Sequence, residues 1–504
     1  MRRNFAENLH SPPSNAILNS TSSCQGGFTK KQLIAAALTG TALALGAVET
    51  APVFSDNMVL QRDTPIRVWG TGKSGEKVEV AFGGATVRGK VGGDGRWKLE
   101  LPPAKASAAG AVLTVKGDDG TKTFRNVLVG DIWLCAGQSN MQWVLKNITG
   151  AAEVVAAADN PQIRLCQVPR VWSRTPMTTL DISWKVCTPE TARGFSAVGY
   201  LTGARIQKAT GVPVGLIDIS WGGCRVEAMS TLESMKKFKT LEQTAKTVES
   251  QVADMMKKKD DELRKDKQRL PVALFNAMVH PLGPFAVKGM LWYQGEDNHS
   301  EGALYGEKLK ALADTWRTNF ANPDMPIYIV QLPPYKYGNE DSTRIPNFWA
   351  AQQRFAQTDR NAGFIVATDC GEENDIHPRN KIPLAERLAN LVLFHTYGIG
   401  DDSAMAPTFR SAKRDGNRLI VEFDHANGLK TRDGKPVSHL MLAGKDNTFH
   451  PASGVIENGR LIVTSERVAE PQRLRFGWDK LANPNLVNSK GVPAAPFDTA
   501  VKVN

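Results

Sequence analysis

The stretch "NVLVGDIWLCAGQSNMQW", Asn126 to Trp143, decides how the rest of the chain is read. It is apolar for most of its length, then breaks into a glycine, two amides and a serine. An apolar run without alternation is a strand covered on both faces, as in a parallel sheet. Ligands bind such sheets beyond the carboxyl ends of the strands. Ser139 at the bend is therefore either a turn residue and nothing more, or a nucleophile held on a rim.

The same texture continues outward. "PVGLIDIS", "FAVKGMLWY", "MPIYIVQL" and "AGFIVATD" alternate with helix-length amphipathic segments such as "SAVGYLTGARIQKAT" and "PLAERLANLVLFHTY". This alternation predicts an α/β region with a parallel sheet over residues 127–404. It carries a charged helical insert at 231–270. Residues 52–126 show short alternating segments parted by "GDG" and "GDDG" turns, and alternation returns over 405–504. Both flanks read as small β domains of sandwich type.

A chain of 504 residues with 41% hydrophobic and 22% charged residues is soluble and globular, with two or three domains expected. The net charge of +11 is spread along the chain. Its densest stretch, from Met235 to Leu270, interleaves basic with acidic residues as a solvated helix does, so nucleic acid is not an expected partner. Lys30 and Lys31 precede "QLIAAALTGTALALGAVETAP", which reads as a leader over residues 1–51. The chain is expected to be exported, periplasmic or extracellular, with no stable membrane insertion after processing. One of six cysteines, Cys24, lies in that leader. The five that remain cannot all pair, and a Cys166–Cys187 bridge stays open. No C-x-x-C or tight His/Cys cluster is present, so neither metal nor cofactor is expected.

A serine nucleophile needs a base, usually a histidine held by a third group. Of eight histidines, only His280, His299 and His377 fall in the α/β region outside a helix. His377 stands in "DCGEENDIHPRNK", just past the strand "AGFIVATD". Asp375, two residues earlier, would face the same side in an extended loop. The plainer alternative makes His377 a residue at a helix start beside Pro378. An oxyanion needs donors. "SWGGCR" offers the amide of Gly222 or Gly223, and "WYQGEDN" offers the side chains of Gln294 and Asn298. All four also suit ordinary turns. The G-x-S-x-G elbow of α/β-hydrolases is absent, because Met141 replaces the second glycine.

Taken together, "GQSNM", "SWGG" followed by Cys and Arg, "WYQGE" and "NDIHP" resemble the sialate O-acetylesterase family of the SGNH hydrolase superfamily. The likeness extends from "FSDNMVLQRDTPIRVWG" to "GVPAAPF". It implies a three-layer α/β/α, flavodoxin-like catalytic domain flanked by β domains, and removal of O-acetyl groups from sugars. It makes Ser139 the nucleophile and His377 the base. Gly223, Gln294 and the amide of Ser139 become the oxyanion donors. Cys224 and Asp297 stand where the family has threonine and serine. Many superfamily members carry an aspartate three residues before the histidine, a position held here by Asn374. Asp375 is then the expected third member, with a Ser–His pair assisted by a backbone carbonyl as the alternative. Around these, Glu296 reads as an acceptor that fixes its loop. Arg225 suits a substrate carboxylate or a structural ion pair equally. Asn298 and Trp221 complete the candidate substrate contacts. The rival substrates are acetylated hemicelluloses, xylan or xyloglucan. A different class of reading is a non-catalytic carbohydrate-binding surface protein.

Overall fold

Seven strands lie side by side in the computed structural model, which describes residues 48–500. They are β1 (Gly120–Gly137), β2 (Asn160–Gln167), β3 (Trp184–Cys187), β4 (Val214–Ser220), β5 (Gly289–Tyr293), β6 (Ile327–Val330) and β7 (Ala362–Ile365). Their order is β3-β2-β4-β1-β5-β6-β7, with every neighbouring pair parallel except β2 and β3. Every residue of β4, β5 and β6 is buried. The unbroken apolar runs reflect this, since a strand covered on both faces has no side for polar residues.

Helices α1 (Ser139–Gln142), α2 (Ala197–Thr210), α3 (Glu242–Lys257), α4 (Ala303–Asn319), α5 (Arg344–Thr358) and α6 (Ile382–Tyr397) fill the connections. Local chemistry sets their ends. Ser196 accepts from the Gly199 amide at the start of α2, and left-handed Gly211 ends it. Pro383 lies in the first turn of α6, and left-handed Gly398 closes it. Helix α2 packs on α6 and β4, α4 packs on α5, and both α5 and α6 reach β6 and β7. The result is a mixed α/β fold.

Strand β1 is 18 residues long and serves two regions. Its first part pairs antiparallel with Ser107–Gly117, and from Asp131 onward it runs parallel to β4. The change of texture between residues 126 and 127 thus falls inside one continuous strand. Asp131 fastens this junction, accepting from Gln61, from two Arg62 nitrogens at 2.9 and 3.0 Å, and from the Tyr397 hydroxyl. Residues 48–51 differ from the leader expectation. Glu49 and Thr50 pair with Thr71 and Gly70, and Val48 is buried. The remainder of the leader, residues 1–47, lies outside the described residues. Near the other end, two four-stranded sheets enclose a core of their own around Leu419, Val421, Leu461, Val463 and Phe476. Residues 48–500 belong to one compact unit. Cys166 and Cys187 are both free and buried. Cys166 pairs across the ladder with Trp184 while Cys187 pairs with Asn160, so the two thiols are out of step.

The order of connections reverses at β1, which has β4 on one side and β5 on the other. Gly137, at its end, is in register with both Ser220 and Tyr293. Three loops therefore leave the sheet at one level, carrying Ser139, Gly222–Gly223 and Gln294–Glu296. A Cβ on Gly137 would lie 2.1 Å from the Tyr293 carbonyl oxygen, and its φ of +143° also suits only glycine. Gly137→Ala should cost about 1–3 kcal/mol or more by overpacking and strain, read as a lowered midpoint in urea.

Candidate active site

Ser139 opens α1, and its backbone amide has no acceptor among the described residues. The Gly222–Gly223 turn lies directly against it. A Cβ on Gly222 would stand 3.3 Å from the Ser139 Cβ. The Gly222 amide donates to Gln142 Oε1 at 2.6 Å, which ties this turn to α1. Gly223 has φ +72°, and its own amide has no acceptor among the described residues. Its carbonyl accepts from Arg269 Nε at 3.3 Å, at the close of the charged insert.

The histidine loop meets the serine turn at two points. Asn140 Nδ2 donates to the Ile376 carbonyl at 3.0 Å. The Trp143 and His377 rings stack, with centroids 5.2 Å apart and planes 16° from parallel. Asp375 Oδ1 accepts from the His377 amide at 2.8 Å and lies 3.9 Å from Nδ1. The carboxylate thus braces the loop and acts on the ring through charge, at a separation too long for a hydrogen bond. Burial and the Lys381 ammonium push the imidazole below its usual value, with Asp375 opposing them.

The loop after β5 turns inward. Gln294 is fully buried, and its Nε2 donates to Gln138 Oε1, the Cys224 carbonyl and Asn298 Oδ1 at 2.9–3.0 Å. Tyr305 donates to its Oε1 at 2.7 Å. Asn298, also fully buried, accepts from the Val226 amide and donates to Glu227. Arg225 forms ion pairs with Glu227 and Glu301, which Lys308 shares. Burial alone would raise the Glu227 carboxyl, but Lys308 and Arg225 outweigh it and hold it low. Glu296 accepts from Asn140, and burial pushes its carboxyl up. Trp221 sits half-buried on the rim, its amide bonded to the Gly137 carbonyl at 3.1 Å. A cavity of about 540 Å³ opens beside this cluster, between Arg225, Arg269 and helix α3; Ser139 and His377 do not line it.

A family model described as "Carbohydrate esterase, sialic acid-specific acetylesterase" matches residues 129–393. The chain belongs to that family. Rat sialate O-acetylesterase is 30% identical over 385 residues, covering 66% of this chain and 71% of the relative. The human protein of that name is 29% identical over 374 residues, covering 67% and 69%. The crystal structure of a carbohydrate acetylesterase from Xanthomonas citri superposes with a TM-score of 0.81 at 34% identity, covering 90% of this chain and 99% of that one. This acetylesterase-family chain is a carboxylic ester hydrolase, which sets aside the non-catalytic surface-protein reading. No helix among its described residues is long and apolar enough to cross a membrane.

Within the family's frame, the structure gathers Ser139, Gly223 and His377 at one rim and draws Gln294 away from it. The amide expected to face an oxyanion is spent on three internal acceptors. Glu296 accepts from Asn140, Arg225 takes the ion-pair alternative with Glu227 and Glu301, and Asn298 bonds to Val226 and Glu227, so all three side chains are engaged within the protein. Sequence reasoning missed Gln138, Asn140, Gln142 and Lys381, whose side chains hold these loops together. The signal for Lys381 was slender: a cation directly before the apolar helix α6, where it is fully buried.

The charges around His377 give a signed expectation. Lys381→Met removes a nearby cation and should raise the imidazole pKa, whereas Asp375→Asn removes the stabilising anion and should lower it. NMR titration of the ring, and the acid limb of kcat/KM, should move in those opposite directions.

Proposed function

We propose that the chain removes O-acetyl groups from sialic acids through an acetyl-serine intermediate. What carries the reading is the meeting of three loops at the ends of β1, β4 and β7: Ser139, the Gly222–Gly223 turn beside it, and the His377 loop bonded to α1. Ser139 Oγ attacks the acetyl carbonyl carbon while His377 takes its proton. The carbonyl oxygen becomes an oxyanion facing the unoccupied amides of Ser139 and Gly223. As the tetrahedral species collapses, the C–O bond to the sugar breaks and His377 returns the proton to the departing hydroxyl. Water then attacks the acetyl-serine with His377 again as base, releasing acetate and restoring Ser139. Asp375 stabilises the imidazolium through charge and holds its loop, as the partner of a Ser–His pair. Gln294 acts from beneath as a positioning residue, bonded to the Cys224 carbonyl just past the glycine turn.

Support for the sugar comes from the family match and from relatives that carry the name sialate O-acetylesterase. Around this site we read α2 with α6, and α4 with α5, as layers on either side of the sheet in the SGNH manner. The β-rich regions before 127 and after 404 are read as flanking domains, and the leader pattern as the mark of export.

Ser139→Ala should lower kcat by about 10⁴-fold or more with folding intact. Acetate release should be faster, by kcat/KM, from O-acetylated sialic acid than from acetylated xylan or xyloglucan. The reverse order would overturn the sugar assignment, and full activity of Ser139→Ala would overturn the nucleophile.

A further inference from the structure

Asn140 follows the nucleophile directly and is fully buried. Its Oδ1 accepts from Lys381 Nζ, and its Nδ2 donates to Glu296 Oε1 and to the Ile376 carbonyl. These partners fix the amide's orientation. An ammonium only donates and a backbone carbonyl only accepts, so the nitrogen must face Ile376. Lys381 and Glu296 are themselves buried, and Asn140 is the side chain to which each is bonded. Lys381 also lies over the Tyr293 ring, 5.6 Å from its centre, while Glu296 Oε2 has no hydrogen-bond partner among the described residues.

Burying a cation and a carboxylate costs stability unless they are well paired. Here an amide stands between them, so the arrangement holds that amide rigidly at the expense of two desolvated charges. Ile376, which the amide grips, immediately precedes His377. Trp143, one turn further along the same segment, stacks on the His377 ring. The segment carrying the nucleophile thus holds the base loop at two points.

We propose that Asn140 is a positioning residue that sets the serine turn and the histidine loop in register, with Lys381 and Glu296 fixing its amide. This rests on the reading of Ser139 and His377 as nucleophile and base. A misplacement of about 1 Å between reacting groups can cost about 10²-fold in rate. The loss should fall on kcat, because none of the three groups is placed against the sugar.

A polarity swap separates positioning from mere stability. In Asn140→Asp, two carboxylates confront each other and the Ile376 carbonyl loses its donor. In Asn140→Asp with Glu296→Gln, the new carboxylate accepts from both Lys381 and the new glutamine, so the buried chain is remade. It still has no N–H for Ile376. The double variant should regain most of the Tm lost by the single one, yet kcat on a small acetyl ester should stay about 10²-fold down with KM little changed. Recovery of kcat together with Tm would overturn the proposal. Asn140→Ala, assayed below its own Tm, gives a second reading. A kcat within about threefold of wild type would also overturn it. The failure of the parent reading looks different: it is Ser139→Ala that stays active.

Discussion

The rim depends on one backbone registration. Gly137 ends β1 level with the last residues of β4 and β5, and the Tyr293 carbonyl comes so close that no side chain fits. The Gln138 amide then bonds to that same carbonyl at 3.0 Å, fixing the start of the serine turn. A shift of one residue in the β1–β4 ladder would part Ser139 from Gly222, and one in the β1–β5 ladder would part it from the Gln294 loop. Because β4 and β5 are buried on every residue, such a shift would also disturb a core containing Trp133 and Trp292. The hydrophobic layering and the placement of the site are therefore one constraint.

Beneath the rim, charge does the remaining work in two groups. Arg225, Glu227, Glu301 and Lys308 form a half-buried to buried cluster that supports Asn298, and through it Gln294. Lys381, Asn140 and Glu296 form the second, with Asn140 supplied by α1 itself. Removing one partner from a buried ionic group costs about 3–5 kcal/mol, because the other charge is stranded. The charged insert joins this support at its end, where Arg269 grips the Gly223 carbonyl and pairs with Asp297. Others of its charges pair along its own surface, as Lys246 does with Glu242 and Lys258 with Asp254.

How far the sequence led is clearest residue by residue. The parallel sheet could be read because strands buried on both faces leave an unbroken apolar run. The rim positions of Ser139 and of the loop carrying His377 could be read because each follows such a run. The inward turn of Gln294 could not, since a buried amide and a presented one are the same letter. Asn140 sat in plain view within "GQSNM", but its value comes from Lys381 and Ile376, more than two hundred residues away in the chain. The boundary between residues 126 and 127 marks a change of partners along one strand, which composition reports as a change of texture. Residues 48–51 follow an apolar leader pattern yet carry the edge pairing of a sheet, and pairing is invisible to hydropathy.

The most direct test of a shared pocket for Ser139 and His377 is to locate the acetyl group during turnover. Enzyme mixed with an O-acetylated sugar and acid-quenched in the steady state can be digested and its peptides weighed. An acetyl group on the peptide containing Ser139, absent when His377 is replaced by alanine, is the result expected here. Acetylation at another residue, or at Ser139 regardless of His377, would contradict it.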